Sequence, residues 1–405
     1  MPKFEVNVAF MQQPENARAR ALLKSMGYTS RDLKQPRIGV ANSWGETSPG
    51  HFHLRAIADA VKAGIWQAGG TPFEFCSFGM CPVDVGNHGI RYDTATRDIV
   101  AAEIEAAAWL HMFDGLVMIS SCDKNVPANL LAAARLDLPV IIITGGPMMA
   151  GRYKGEDLDT TSVDVHCWAY GVGKESISLE ALNELEDAAC AGSGACALPD
   201  TANTMQCLTE ALGLSLPGVA TTPAVSGAKL RQAKETGVQI VTLIREGMTS
   251  SKIITKNSLR NAIRVLHAIG GSTNAVIHRY EGPKGGPGLT EVFKAIGFLR
   301  ALGLESKCAL ITDGKISEFA KGPFICQVSP EAAAGGPLAV VRDGDLIEMD
   351  IPNRMLNLLL PEAELQERIA NWKAPTPRVK DGFLTVYARL ANPTEKSAGI
   401  NLRLD

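Results

Sequence analysis

Two uninterrupted apolar runs, Gly115–Ser120 (GLVMIS) and Pro139–Thr144 (PVIIIT), constrain this chain more than any other feature. Both are bounded by turn residues and neither alternates with polar side chains. That pattern fits strands buried on both faces, as in a parallel sheet covered by helices. Between them Ala128–Leu136 is helical in character, so strand, polar turn, helix and strand follow one another within about 30 residues, the order of a βαβ crossover. An earlier unit has the same form: Pro36–Asn42 reads as a strand and Leu54–Ala68 as a helix with Ile57, Val61 and Ile65 at helical spacing. Ligands of such sheets gather beyond the carboxyl ends of the strands, so chemistry is expected first after Ile119 and after Ile143.

Ser178–Ala189 and Ala202–Leu212 read as helices on either side of a Cys190–Thr201 loop. Ser258–Ala268 reads as another helix, N-capped by Ser258 and ended by Gly270-Gly271. Glycine and proline from Arg279 to Gly288 interrupt regular structure. Beyond them Cys308–Thr312, Leu338–Arg342 and Asp345–Ile351 read as short strands, with turns at Asp313-Gly314 and Asp343-Gly344. The expected division is an α/β domain over residues 1–278 and a smaller β-rich domain over 279–405.

A net charge of −3 is too weak to steer nucleic acid or an anionic membrane to the surface, so neither is an expected partner. The nearest approach to a bilayer span, Ala132–Gly146, contains Arg135 and Asp137. Met1–Ala17 shows neither a secretory leader nor an Arg-rich transit peptide, and the expectation is a cytoplasmic protein whose nine cysteines stay reduced.

Ser120-Ser121-Cys122-Asp123-Lys124-Asn125 follows a buried strand and sets a thiol, a carboxylate and an amine at a ligand edge; a buried cysteine beside a solvated ion pair is the plainer alternative. In Cys190-Ala191-Gly192-Ser193-Gly194-Ala195-Cys196 the small residues let backbone close around something bulky, as an iron–sulfur cluster requires; the alternative is a loop with two idle cysteines. Cys76, Cys81, Cys167, Cys207, Cys308 and Cys326 read individually as packing residues. His51 and His53 have a spacing that can bind metal, but no third ligand lies nearby in the sequence. Gly270-Gly271-Ser272-Thr273-Asn274 suits a turn or a carboxylate-binding backbone, and Asp313-Gly314 a hairpin turn.

Taken together the motifs resemble the dihydroxy-acid and sugar-acid (6-phosphogluconate-type) dehydratase family. The matching segments are Asn42–Arg55 (NSWGETSPGHFHLR), Ser121–Met148, Cys190–Gly218, Ala268–His278 (AIGGSTNAVIH), Tyr280–Glu291 (YEGPKGGPGLTE), Ala309–Ser317 (ALITDGKIS) and Val328–Arg354, in family order. The resemblance implies an α/β domain followed by a β-barrel-like domain, a homodimer, and an iron–sulfur cluster (2Fe-2S or 4Fe-4S) beside Mg²⁺. It also implies dehydration of a 2,3-dihydroxy carboxylic acid to a 2-keto acid. By the same resemblance Cys122 and Cys196 match cluster ligands, Asp123 and Glu291 match Mg²⁺ ligands, Lys124 matches a carbamylated metal-binding lysine, and Ser317 matches the serine base.

The chain departs from the family pattern in places. Pro49-Gly50 stands where many members have Pro-Cys, so a third cluster ligand is Cys190, another thiol, or missing. The family's Asp-Gly falls near Met80-Cys81-Pro82, with Asp84 a substitute for its aspartate after a local shift, and Glu318-Phe319-Ala320 replaces the usual glycines after the serine. His278 runs directly into Arg279 and Tyr280, where family members carry a long further segment. The leading expectation is the dihydroxy-acid dehydratase of branched-chain amino-acid biosynthesis; the alternatives are an aldonate dehydratase and a non-catalytic, cluster-binding relative.

Overall fold

The computed structural model describes residues 3–81, 89–160, 162–163, 166–167, 177–198, 200–268, 279–290, 292, 309–316, 324–350 and 352–400. They belong to two compact units. One gathers Met1–Asp84, Arg97–Val163 and Leu179–Gly271; the other gathers Val85–Thr96, Asp164–Ser178 and Ser272–Asp405.

The first unit is built on four parallel strands: β1 (Arg37–Asn42), β2 (Thr71–Cys76), β3 (Gly115–Ser120) and β4 (Val140–Thr144), in the order β2-β1-β3-β4. Both apolar runs are strands, and every residue of β3 and β4 is buried. Helix α1 (Leu54–Gln67) turns Ile57, Val61 and Ile65 onto the sheet beside Val40, Val117 and Ile143, forming one core layer. On the opposite face Ala128, Ala132 and Leu136 of α2 (Asn125–Leu136) pack with Leu116, Met118 and Ile142. Full burial of each Val, Leu, Ile or Met side chain here contributes roughly 1.5–3 kcal/mol. α3 (Leu179–Ala189) and α4 (Thr201–Ala211) flank the cysteine loop, and α5 (Gly227–Glu246) crosses α1 at close range. α6 (Lys256–Ala268) starts two residues earlier than its sequence suggests. Thr255 and Ser258 each accept from the other's backbone N–H, so Ser258 closes a reciprocal capping pair and is not itself the cap.

The second unit holds short strand pairs, β7 (Leu310–Ile311) with β8 (Phe324–Ile325) and β9 (Ile347–Asp350) with β10 (Met355–Leu358); β5 (Gly151–Tyr153) and β6 (Glu156–Leu158) form a hairpin in the first unit. None of the described sheets closes into a barrel. β7 and β8 run parallel, so Asp313-Gly314 is not a hairpin turn. Asp313 is instead a buried clamp whose carboxylate accepts from the backbone N–H of Tyr280, Glu281 and Ala332. Leu338–Arg342, expected as a strand, lies mostly in a 3-10 helix (Pro337–Val340) because Pro337 sets its first turn. The helices Glu362–Ala370 and Phe383–Leu390 also belong to this unit.

Candidate active site

In the order β2-β1-β3-β4 the chain departs from β1 to one side and later returns to the other, so the loops after β1 and β3 part at their carboxyl ends. The loop after β3 carries Ser121, Cys122, Asp123 and Lys124. The loop after β1 carries Ser48 and runs into a single helical turn, Pro49–Phe52. Ser48 Oγ lies 3.9 Å from Cys122 Sγ. His51 is buried and donates from Nε2 to the Ser121 carbonyl at 3.1 Å. Burial lowers its pKa to about 4, so the ring is neutral and Nδ1 presents a bare lone pair with no hydrogen-bond partner among the described residues. His53 donates in the same way to the Gly145 carbonyl at 3.0 Å, which ties this turn to the end of β4.

Cys122 is 6% exposed and has φ of 62°. A left-handed conformation at a non-glycine residue costs of order 1 kcal/mol, and such strain concentrates where a side chain must be aimed. The neighbouring Cys81 thiol, burial, and the nearby Asp123 and Cys196 hold its pKa well above the ordinary thiol range. Cys81 and Cys196 thus both bear on the Cys122 thiol. Asn125 fixes the approach of Cys81: its Nδ2 donates to the Phe78 carbonyl at 2.6 Å, and its Oδ1 accepts from the Met80 N–H at 3.2 Å.

The Cys190–Cys196 loop reaches the same place. Gly194 N–H donates to the Pro49 carbonyl at 3.0 Å, Ala195 N–H to Gly146 O at 3.0 Å, and Met148 N–H to Ala195 O at 2.8 Å. Gly194, at φ 147°, lies so close to the Met148 backbone that a Cβ would overlap it. Cys196 is half-buried, whereas Cys190 is exposed and bridged through its backbone to Ala150. Lys124 is buried at the start of α2, its ammonium paired with the Asp123 carboxylate. Glu291 and Ser317 lie outside the described residues.

Two family models match the sequence, dihydroxy-acid/6-phosphogluconate dehydratase N-terminal over residues 35–280 and its C-terminal counterpart over residues 233–398. The chain belongs to the dihydroxy-acid/6-phosphogluconate dehydratase family. It is 34% identical to a dihydroxy-acid dehydratase of Acetivibrio thermocellus over 541 aligned positions, covering 95% of this chain and 97% of that protein. It is 36% identical to one from Methanothrix thermoacetophila over 542 positions, with the same two coverages. A third, dihydroxy-acid dehydratase 1 of Methanosarcina acetivorans, is 35% identical over 535 positions. These alignments are longer than the 405 residues of the chain, so the relatives carry residues that it lacks. Family membership supports dehydratase activity at the family level.

Dehydratases resembling this chain imply a cluster, and the residues present fit one. The donors are thiols, soft ligands suited to iron–sulfur chemistry. Ser121 Oγ is buried with no hydrogen-bond partner among the described residues. A Cβ on Gly50 would overlap the Cys122 sulfur, so the turn carrying Gly50 and the Cys122 thiol face one point. Among the described residues no three His, Cys, Asp or Glu side chains are grouped to hold a single metal ion.

Of the residues gathered at the site, the sequence reading assigned no chemistry to Cys81. The usable signal was β2 itself: once Thr71–Cys76 is taken as a parallel strand, Cys81 stands at another carboxyl end. Pro72 hides that strand, being tolerated only because β2 is at the sheet edge.

Proposed function

We propose that this chain is a hydro-lyase that converts a 2,3-dihydroxy carboxylic acid to a 2-keto acid, as a dihydroxy-acid dehydratase of branched-chain amino-acid biosynthesis. The observation that carries the reading is the convergence of Cys122, Cys196 and the Asp123–Lys124 pair beyond the carboxyl ends of β1, β3 and β4. A cavity of about 350 Å³ beside the cysteine loop favours the branched-chain substrate over a polyhydroxylated aldonate, because Pro147, Met148, Leu198 and Ala220 give it an apolar wall. The resemblance further supports a homodimer and a barrel-like second domain. No helix among the described residues is long and apolar enough to cross a membrane.

Cys122 and Cys196 would hold the iron–sulfur cluster, and Asp123, Glu291 and carbamylated Lys124 would hold Mg²⁺. When bound, these centres supply electrophiles for the departing hydroxyl and for the charge that develops as the α-proton is removed. The chain's own residues do the rest. Ser317 takes the C2 proton; the C3–O bond breaks, its oxygen leaves as water with one added proton, and the resulting enol ketonises. Asp123 offers hard oxygen donors that suit Mg²⁺, and Lys124 neutralises that carboxylate until it is carbamylated. Buried, neutral His51 holds the Ser121 carbonyl and so the path of the Cys122 loop.

Protein reconstituted with iron and sulfide without oxygen should release keto acid from dihydroxyisovalerate faster than from any of a panel of aldonates. Preference for an aldonate moves the assignment to sugar acids, and no turnover on either class of acid rejects the enzymatic reading. Asp123→Asn should weaken Mg²⁺ activation and leave the cluster's visible absorbance intact. Loss of the absorbance with metal activation spared would reverse the assigned roles.

A further inference from the structure

We infer that Cys81 supplies the third cluster thiolate, in place of the cysteine that many family members carry where this chain has Gly50. The inference rests on the cluster reading above and deepens it. Position 50 cannot serve, since even a Cβ there would overlap the Cys122 sulfur. Cys190, the nearest alternative in sequence to Cys196, is exposed and is held by its backbone bridge to Ala150 at the outer end of its loop.

Cys81 differs on both counts. It is half-buried, and its thiol is near enough to Cys122 to hold that group's pKa up. Its segment is pinned at several points: Phe78 O and Met80 N–H to the Asn125 amide, and Gly79 against the Ser43 carbonyl and the His51 ring, where a Cβ would not fit. Asn125 is three residues beyond Cys122, so one helix start holds both the Cys122 loop and the backbone leading to Cys81. The buried Ser121 hydroxyl has no partner among the described residues, which marks this point as built for a guest. Each thiol would ligate as a thiolate, its proton passing to solvent on loading. Three protein thiolates leave one coordination position of the cluster open for substrate.

The unsubstituted chain, Cys81→Ser and Cys190→Ser are reconstituted anaerobically with ferrous iron and sulfide, then assayed for iron, acid-labile sulfide and visible absorbance. Cys81→Ser should lose most of its iron and sulfide and change its spectrum, while Cys190→Ser matches wild type. Because Cys81→Ser could misfold, wild-type protein is also alkylated before and after loading and mapped by mass spectrometry. Loading should protect Cys81 together with Cys122 and Cys196 and leave Cys190 reactive. Wild-type cluster content in Cys81→Ser, or equal alkylation of Cys81 in loaded and unloaded protein, overturns the inference alone. Failure of the unsubstituted chain to take up iron and sulfide removes the cluster reading and the inference together.

Discussion

The Lys229 side chain is fully buried, with Nζ donating to the carbonyls of Thr144 at 3.1 Å and Val219 at 2.5 Å. It joins the end of β4 to the loop before α5, and a Cβ on Gly146 would press against its ammonium at 2.9 Å. Burial lowers its pKa from 10.5 to about 7, outweighing the attraction of Glu210. Between those values the unfolded chain carries a proton here that the folded chain does not, so stability rises with pH by about 1.4 kcal/mol per unit from this group. Below pH 7 both states are protonated and the penalty for burying the charge is complete. Denaturation of wild type and Lys229→Met at pH 7.5, 8.5 and 9.5 should therefore show their stability difference moving in favour of wild type by about that slope; a pH-independent difference refutes the assignment. Lys229 was invisible in the sequence because nothing in Ser226–Lys229 distinguishes a buried amine from an exposed one. Cys122, by contrast, was legible because the strand preceding it was so plainly buried.

Elements whose pattern is decided by burial were readable, and those decided by a single backbone contact were not. β3 and β4 match their apolar runs almost residue for residue. β2 did not declare itself, since an edge strand with Pro72 and alternating exposure lacks a continuous run. The close crossing of α1 and α5 belongs to the second kind. Gly64 meets the Lys234 carbonyl and Gly237 meets the Val61 carbonyl, so two glycines in mid-helix let the backbones touch. Glycine costs a helix interior roughly 0.5–1 kcal/mol against alanine, which makes its presence twice at one crossing a packing requirement. Gly237→Ala should gain that propensity yet lose more through overpacking, typically 1–3 kcal/mol, because the obstacle is a carbonyl and not a flexible side chain. Its urea midpoint should fall below that of wild type, and a rise would mean that the helices can slide apart freely. Ala63→Gly, also on α1, loses propensity without relieving any clash and provides the comparison.

At the scale of the whole chain the sequence carried the family and the absence of a segment together. Seven motifs follow in family order, yet His278 meets Arg279 where the relatives continue, and the alignments run longer than the chain. The first unit keeps the strand ends that position Cys122 and Cys196 despite that loss, because β1 to β4 and the helices packed on both faces of their sheet all lie outside the missing segment. Whether the second unit still contributes chemistry turns on Ser317, the expected base. A positioned base contributes about 10²–10⁴-fold, so Ser317→Ala should lower kcat by roughly that factor with iron, sulfide and Mg²⁺ binding unchanged. Exchange of the substrate α-proton with solvent deuterium should stop in the same variant wherever wild type shows it. A compact enzyme and a cluster-binding relative then part clearly. The enzyme loses turnover in both Ser317→Ala and Cys122→Ser but loses cluster only in the second. The relative shows no turnover in any form and still loses cluster in Cys122→Ser. Near-wild-type turnover in Ser317→Ala would exclude the serine as base. The next variant would be His53→Gln, since burial lowers the pKa of that imidazole and favours its neutral form.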